Sequence, residues 1–559
     1  MQTRYYSFDV FDTCLARLCG APNNLFEVLS NKVVSRMDDV DSEHMRQLFV
    51  AVRAMCGGNS LQEIYKHVAE QFPIPCTIAE MVQLELDTES DMLVPIAATR
   101  QLISSLREKG SILFVSDMYL PEDFIRAQLV RHGFFRDGDR LYVSNSVGAC
   151  KYDGGLFRLI HEREGIAYRG WHHYGDNRKS DYTIPRRLGI CAHHLHYDYL
   201  YYEQQWQQQY SLHYQYGSIL AGVSRAVRLQ SEASSDQAAY VCDIVAPFAI
   251  AWVLSVLQDA RKRGIRRLYF LARDVHSEYL VALHFHCLFP EIEIRYLFLS
   301  RRALYNDNRV ECYLQSEGFF DHTPTAIVDS CSSGRTLLEL NRLCEIHHCP
   351  SVYGFFIAKS LDIPQKNIGT YLFNDDYLST MTPKRIHGII GMKISMFELL
   401  ISLNYHNTIV GYTFHGNRIR PEFCRDEIDR WHFDNMTCRL AKRNGDQMLL
   451  TFADAFVRTG LSTWNTMVME RLAVPSLIDF VDRPRHTYLE YLHHFIYWDR
   501  PFVGLPYGTR KGVWKRGSRS YFFPPWLVGV YYALLSSSVF RKKINQFVSW
   551  IPLRKHIRK

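Results

Sequence analysis

The strongest constraint on the fold is a set of four short apolar segments in the first 200 residues, each with acidic or small polar side chains at its end. The segments are residues 5–11, 111–117, 141–145 and 171–176, and helical patterns separate them. Apolar strands that alternate with helices are typical of a parallel α/β sheet. Ligands of such sheets bind beyond the carboxyl ends of the strands, so the polar residues there form the candidate site.

These polar residues combine several acids with one lysine and one serine. In chain order they are Asp9, Asp12, Thr13, Ser116, Asp117, Lys151, Asp176 and Asp181. Hard oxygen ligands of this kind hold Mg²⁺, and a carboxylate can attack phosphorus to form an aspartyl-phosphate. A lysine offsets the negative charge that gathers in such a site. The set therefore predicts a Mg²⁺-dependent phosphoryl-transfer site.

The segments FDVFDT, FVSD, a lysine and GDNRKSD, in this order, resemble the motifs of the haloacid dehalogenase (HAD) superfamily over about residues 4–200. The resemblance implies a Rossmannoid parallel sheet with Asp9 as nucleophile. It further implies that Ser116 binds the phosphoryl group and that Lys151 holds the nucleophile and the phosphate. It implies Mg²⁺ as cofactor. The implied metal ligands are Asp9, the main-chain carbonyl of Phe11, Asp176 and Asp181. Thr13 and Asp117 are assigned to substrate binding on the same basis.

One position departs from the phosphatases of this superfamily. They usually carry a second aspartate two residues after the nucleophile, as general acid and base, whereas this chain has Phe11 there and Asp12 one residue later. Phenylalanine cannot donate a proton, and general acid catalysis contributes about 10²–10⁴ in rate. Asp12 is therefore the candidate acid and base. The helical region at about 15–105 matches an inserted cap that covers the site and selects the substrate.

A second α/β unit is expected at residues 240–415. Within it, Asp329 is predicted to end a strand and to precede a loop with Ser333 and Gly334, and Thr336 is predicted to begin a helix. This loop resembles the ribose-phosphate loop of type I phosphoribosyltransferases, and the pair Arg273 and Asp274 follows an earlier strand where that fold has its pyrophosphate loop. These six residues are the predicted substrate ligands of the unit. The alternative is a structural serine/glycine turn.

The whole arrangement also resembles a family of large two-domain HAD-type hydrolases found among bacterial surface-polysaccharide assembly functions. The resemblance covers about residues 4–415. We accordingly predict a hydrolase domain at 1–205, the second α/β domain at 240–415 and a mostly helical region at 416–559. The family link implies a phosphorylated sugar or lipid-linked sugar as substrate.

Charge is distributed unevenly along the chain. The net charge is +7, but residues 509–559 carry twelve Lys and Arg and no acid, which leaves the rest slightly acidic. This distribution argues against a nucleic-acid partner. Residues 524–540 form an apolar stretch between basic clusters, which suits an anionic membrane surface; a docked helix and a spanning helix are the alternatives. Scattered cysteines without a CxxC pair predict a cytoplasmic protein. The basic tail with its apolar stretch predicts a peripheral position on the inner membrane face.

Three functions follow from these patterns. The first is phosphoryl hydrolysis or transfer at Asp9. The second is pentosyl or glycosyl transfer centred on the second unit. The third is a degenerate HAD scaffold at the membrane surface, without catalysis.

Overall fold

The computed structural model divides into two compact units, Met1–Ala238 with Asp454–Val468, and Ala239–Ala453 with Met469–Lys559. The residues that it describes are 4–38, 40–208, 214–233, 235–272, 275–332, 334–359, 368–370, 408–424, 436–460, 472–473 and 476–477. Residues 509–559 and the apolar stretch at 524–540 lie outside this part of the chain.

A five-stranded parallel sheet forms the centre of the first unit. Its strands, in chain order, are β1 (Arg4–Phe8), β4 (Gly110–Ser116), β5 (Arg140–Val143), β6 (Trp171–Gly175) and β7 (Cys191–His194). The spatial order is β5-β4-β1-β6-β7, and each neighbouring pair is parallel. The four strands predicted from the sequence are confirmed, and β7 adds a fifth strand at one edge.

Helices cover this sheet and build an insertion between β1 and β4. The helices of the first unit are α1 (Asn24–Val34), α2 (Ser42–Met55), α3 (Leu61–Gln71), α4 (Ile78–Met92), α5 (Ala97–Arg107), α6 (Glu122–Arg131), α7 (Ser144–Val147), α8 (Gly155–Glu164), a π-helical turn (Arg178–Thr183), α9 (Ile184–Arg187), α10 (Tyr201–Gln208) and α11 (Tyr214–Gln230). A short antiparallel pair, β2 (Leu15–Arg17) and β3 (Leu93–Pro95), joins the two ends of the insertion. The helices of the insertion lie where the sequence predicted a helical cap. The sequence did not indicate the two-stranded stem of β2 and β3 that carries them.

Buried ion pairs hold the cap together. Arg17 of the stem contacts Glu89 of α4 through Nε and Oε1 at 2.7 Å, and both side chains are fully buried. Arg53 of α2 contacts Glu85 of α4 through two hydrogen bonds of 2.6 and 2.8 Å. Removal of either partner would leave a buried charge unpaired, which typically costs about 3–5 kcal/mol.

The second unit contains another five-stranded parallel sheet. Its strands are β8 (Arg267–Leu271), β9 (Glu293–Leu297), β10 (Thr325–Ser332), β11 (Tyr353–Lys359) and β12 (Ile368–Thr370), in the spatial order β12-β11-β10-β8-β9. The described helices from residue 235 onward are α12 (Ser235–Tyr240), a π-helical segment (Val241–Val245), α13 (Ala246–Lys262), α14 (His276–His284), a 3₁₀ turn (Phe285–Leu288), α15 (Arg301–Asn306), α16 (Val310–Ser316), α17 (Arg335–Ile346) and α18 (Met436–Arg458). Residues 235–238 of α12 and 454–458 of α18 belong to the first unit. The predicted second α/β unit is confirmed at this level.

Two details differ from the sequence-based expectation. An antiparallel hairpin, β13 (Ile409–His415) and β14 (Arg418–Phe423), occupies the start of the region expected to be helical from residue 416. Partly buried and exposed residues alternate along β14, as in a strand with one covered face. Strand β10 also continues past Asp329 to Ser332, because Cys331 and Ser332 pair with β11. Asp329 therefore lies within the strand and does not end it.

One helical stretch among the described residues, Asp236–Lys262, has the length and apolar composition to cross a membrane. Nearly all of its most apolar part is buried inside the protein, which is the ordinary condition of a core helix.

Candidate active site

Two acids meet where neighbouring strands of the first sheet end. Asp9 directly follows β1, Asp176 directly follows β6, and the two strands pair in parallel. The Asp9 main-chain NH donates to the carbonyl of Tyr174 at 2.9 Å, which extends the pairing to the end of the strand. With Asp181, these residues offer carboxylate oxygens that all lie within 4.8 Å of one another. The sequence prediction of three acids at one sheet edge is therefore matched by the geometry.

Lys151 lies between two of these acids. Its Nζ donates to Asp9 Oδ1 at 2.5 Å and to Asp181 Oδ1 at 2.7 Å, and only 2% of the residue is exposed. The Asp117 carboxylate accepts the Lys151 main-chain NH at 2.8 Å and also the NH of Tyr152. Asp117 thus fixes the loop that carries the lysine, while the substrate-binding role assigned to it stays a prediction.

Thr13 and Ser116 complete the set at this edge. The buried Thr13 hydroxyl lies 3.2 Å from Asp9 Oδ2 and accepts the Asp176 main-chain NH at 3.1 Å, so it ties the ends of β1 and β6 together. Ser116 is the last residue of β4, next to β1, and is 1% exposed. Its predicted contact with a phosphoryl group is compatible with this place at the carboxyl end of the sheet.

A buried chain of hydrogen bonds, absent from the sequence-based prediction, orients Asp181. Trp171 Nε1 donates to Ser7 Oγ at 2.7 Å, Ser7 Oγ lies 2.8 Å from His173 Nδ1, and His173 Nε2 lies 3.2 Å from Asp181 Oδ1. Burial lowers the pKa of His173, so the ring is neutral. Ser7 then donates to Nδ1 and Nε2–H donates to Asp181. The one sequence signal for this series of hydrogen bonds is that Ser7 and His173 are polar residues within otherwise apolar strands.

Gly175 makes room for Asp181. A Cβ at residue 175 would lie 2.5 Å from Cβ and Cγ of Asp181, closer than such atoms approach in proteins. Asp181 itself sits in the π-helical turn after β6, where Asn177 accepts the main-chain NH groups of Lys179 and Ser180. The absence of a side chain at residue 175 therefore lets this turn fold back onto the strand end.

The carboxylates perturb one another strongly. Burial, and then the charges of Asp181 and Asp176, raise the pKa of Asp9 well above its usual value, against the opposing charge of Lys151. Burial, and then the charge of Asp12, raise the pKa of Asp176 to about 6. Burial also acts on Asp181, but Lys151 and His173 outweigh it and lower the pKa of that carboxyl. Burial and the neighbouring acids thus favour the protonated form of Asp9 and Asp176, whereas Asp181 favours the ionised form.

The arrangement fits a divalent cation. Three carboxylates converge on one point with a single ammonium group as counter-charge, and the neighbouring acids add to the effect of burial on the pKa values of Asp9 and Asp176. Oxygen donors of this kind suit Mg²⁺. Asp9, Asp176 and Asp181 would hold the ion, and the Phe11 carbonyl as a further ligand stays a prediction.

Mg²⁺ affinity should depend on pH. A carboxyl with a pKa of about 6 is ionised at pH 7 and largely protonated at pH 5, and a ligand must lose its proton to bind. We therefore expect Mg²⁺ to bind about tenfold more weakly, or weaker still, at pH 5 than at pH 7, in calorimetric titrations at constant ionic strength. Asp181 cannot cause this change, since its pKa is lowered. An affinity that is flat across this range would exclude Asp176 as a ligand.

Phe11 and Asp12 point to different partners. The Arg17 guanidinium lies 4.5 Å from the centre of the Phe11 ring, so this side chain contacts the cap stem. Asp12 adopts a left-handed backbone with φ of 54°, which is uncommon for a residue with a side chain. Its charge is the largest contribution after burial to the raised pKa of Asp176. Asp12 therefore lies beside the acid cluster, as a candidate acid and base must.

Arg225, which the sequence did not single out, holds Asp12. Its Nη1 donates to Asp12 Oδ1 at 2.7 Å, and its Nε donates to the Tyr197 carbonyl. The arginine comes from α11, 213 residues further along the chain, and is 7% exposed. Because the contact joins distant segments, no local motif could reveal it.

The predicted residues of the second unit are described only in part. Arg273, Asp274 and Ser333 lie outside the described residues. Gly334 has a left-handed φ of 75° and precedes α17, and Thr336 is buried within that helix at 6% exposure. Strands β8 and β10 are parallel neighbours, so the two predicted loops follow the same edge of this sheet. Ligand binding there stays a prediction.

No protein-family model and no curated protein sequence matches the chain. Among solved structures, a HAD-family enzyme from Bacteroides thetaiotaomicron is 14% identical over 35% of this chain and 95% of its own, with a TM-score of 0.27. A HAD phosphatase from Thermococcus onnurineus is 18% identical over 35% and 87%, with a TM-score of 0.27. A HAD hydrolase from Bacillus subtilis, described as bound to magnesium, is 17% identical over 34% and 87%, with a TM-score of 0.25. Each of these three matches covers about a third of the chain.

Proposed function

We propose that the first unit is a Mg²⁺-dependent phosphoryl hydrolase or transferase that acts through an aspartyl-phosphate on Asp9. The observation that carries the proposal is the contact of Lys151 Nζ with both Asp9 and Asp181, beside Asp176 at the same sheet edge. The site joins a carboxylate nucleophile, a fixed cation and ligands for a metal. When bound, Mg²⁺ would neutralise phosphate oxygens.

The chain's own groups account for the remaining chemistry. Lys151 holds Asp9 Oδ1, and Oδ2, which accepts a hydrogen bond from the Thr13 hydroxyl, would attack phosphorus as the bond to the leaving oxygen breaks. Asp12 would protonate that oxygen. A water molecule would then attack the aspartyl-phosphate, lose its proton to Asp12 and release inorganic phosphate, which regenerates Asp9. With an acceptor alcohol in place of water, the same steps give phosphoryl transfer.

The role of Asp12 can be tested by the choice of leaving group. We expect Asp12→Asn to lower kcat about 10²-fold or more for an alkyl phosphate, because the leaving alkoxide needs a proton. The loss should be far smaller for p-nitrophenyl phosphate, whose leaving group departs without one. Initial rates of phosphate release measure both. Equal losses on the two substrates would show that Asp12 is not the general acid.

We further propose that the substrate is a phosphorylated sugar or a lipid-linked sugar intermediate of polysaccharide biosynthesis. Support comes from the sequence resemblance alone, and a cap of α1–α4 is the element that would select the substrate. Phosphate release from a panel of sugar phosphates, with Mg²⁺ and with a chelator, is the direct test. If the protein released phosphate from other phosphate esters but from none of the sugar phosphates, this substrate class would be rejected. The proposed reaction would still stand. Peripheral membrane association through residues 509–559 stays a proposal.

A further inference from the structure

Two histidines and a cysteine lie side by side on the edge of the first sheet. His172 belongs to β6, and Cys191 and His193 belong to β7. In the parallel pairing, His172 stands opposite Cys191, and Tyr174 stands opposite His193. Side chains two residues apart on a strand share a face, so all three residues project from the same side of the sheet.

Their donor atoms converge. His172 Nδ1 lies 3.1 Å from His193 Nε2, and Cys191 Sγ lies 3.6 Å from the same Nε2. All three atoms lie within 4.8 Å of one another. Tetrahedral Zn²⁺ with its usual bond lengths separates two nitrogen ligands by about 3.3 Å and a nitrogen from a sulfur by about 3.6 Å. The observed nitrogen–nitrogen and nitrogen–sulfur separations at His193 Nε2 therefore match those of a zinc site to within a few tenths of an ångström.

The protonation states also suit a metal. Burial, and then the charge of Arg4, lower the pKa of His172; burial, and then His172 and His173, lower the pKa of His193. These shifts favour the neutral imidazole, which is the form that binds metals. The two facing nitrogens share one hydrogen bond, which a bound ion would replace as the rings turn toward Cys191.

Aromatic neighbours hold the two rings near this arrangement. His193 stacks on Tyr174, with ring centres 4.3 Å apart and planes 8° from parallel, and His172 stacks on Tyr6 at 5.3 Å. Cys191 is exposed, so solvent reaches the remaining coordination position. Three protein ligands and one open position are the usual pattern of a zinc site that binds water or a substrate group.

We propose that His172, Cys191 and His193 form a second metal site, which takes Zn²⁺ and is distinct from the carboxylate cluster. Sulfur and imidazole ligands favour a borderline-soft ion, whereas the carboxylates favour Mg²⁺. The site also lies next to the first one along β7, because His194 Nε2 donates to the Asp176 carbonyl at 2.6 Å. Zinc would therefore fix the edge strand that supports one of the acids.

Cobalt titration of the full chain tests the proposal. Freed of metal, the protein should bind one equivalent of Co²⁺ with a thiolate-to-cobalt charge-transfer band, and one equivalent of Zn²⁺ should remove this band. Cys191→Ser should abolish the band and weaken Zn²⁺ binding about 100-fold or more, and His193→Ala should weaken it comparably. Circular dichroism checks that each variant is folded.

Two control variants establish where in the protein the band originates. Cys287→Ser changes another exposed cysteine and should leave the band intact. Asp9→Asn alters the carboxylate cluster and should also leave it intact, whatever it does to phosphate release. A wild-type protein without the band, or a band that persists in Cys191→Ser, would overturn the proposal.

Discussion

Replacing Asp9 by asparagine is expected to lower kcat for phosphate release by roughly 10⁴- to 10⁶-fold, because the amide cannot form the aspartyl-phosphate. The protein should stay folded. Burial makes the ionised form of Asp9 costly, as its raised pKa shows, and asparagine removes this cost with almost no change of shape. Metal-free Asp9→Asn should therefore unfold at the same temperature as the wild type or higher. Rate measurements under saturating Mg²⁺, with a thermal melt, test both statements.

The covalent step has its own readout. Wild-type protein quenched in acid during turnover of a ³²P-labelled substrate should carry label, and Asp9→Asn should carry none. Asp137→Asn, which changes an exposed acid of the same unit, is the matched control and should behave as the wild type. Equal rates in Asp9→Asn and wild type would reject Asp9 as the nucleophile. The degenerate scaffold would then be favoured if the chain also required residues 509–559 but not Asp9 for its function in cells.

Replacing Lys151 by methionine should damage both stability and catalysis. At pH 7 Lys151 and Asp181 are both charged, because the pKa of Asp181 is lowered and the pKa of Lys151 is raised. Burial alone would lower the pKa of Lys151, but the contacts with Asp9 and Asp181 outweigh it. Without the ammonium group, the buried and ionised Asp181 carboxylate loses the cation that pairs with it. We expect the metal-free protein to lose about 3–5 kcal/mol of unfolding free energy. We also expect kcat to fall by about 10²–10³, the usual cost of one lost charge-stabilising group.

Denaturant unfolding and initial rates separate these two effects. Mg²⁺ should restore part of the lost stability, because it offers the carboxylates another cation. A second change, Asp181→Asn, should also restore stability to Lys151→Met, but it should not restore activity. Lys109→Met, an exposed lysine of the same unit, should change neither quantity by more than a few tenths of a kcal/mol or a factor of two. A Lys151→Met protein as stable as the wild type would contradict the charged arrangement inferred for the site.

The sequence revealed the acids and the lysine because Asp9 and Asp176 directly follow an apolar strand, and Asp181 and Lys151 follow one within eight residues. That signal is local, and the topology of a parallel sheet then brings the strand ends together. The stem of the cap was missed because β2 and β3 are only three residues each and pair across 78 positions of chain. Strand β7 was missed because Cys191 and its histidines do not form an apolar run.

Contacts between distant segments set the limit of prediction at the site. The orientation of Asp12 depends on a left-handed backbone and on Arg225, and neither follows from the sequence around residue 12. His173 resembles any histidine on a strand until its neighbours Ser7 and Asp181 are seen in space. The Cys191 site escaped notice for the same reason, since its members become adjacent only through strand register.

The position of Arg225 bears on how the first unit could be produced in isolation. Helix α11 packs so closely on the loop after β2 that a Cβ on Gly222 would lie 2.3 Å from the main-chain nitrogen of Gly20. Residues Asp454–Val468 belong to the same compact unit, and Arg458 donates to the Asp91 carbonyl. A recombinant fragment cut at residue 205 would lack α11 and Arg225, and it would expose the apolar surface that this helix covers. Truncation at residue 205 would therefore yield a protein prone to aggregate. A fragment that extends beyond α11 and is combined with residues Asp454–Val468 would preserve the unit.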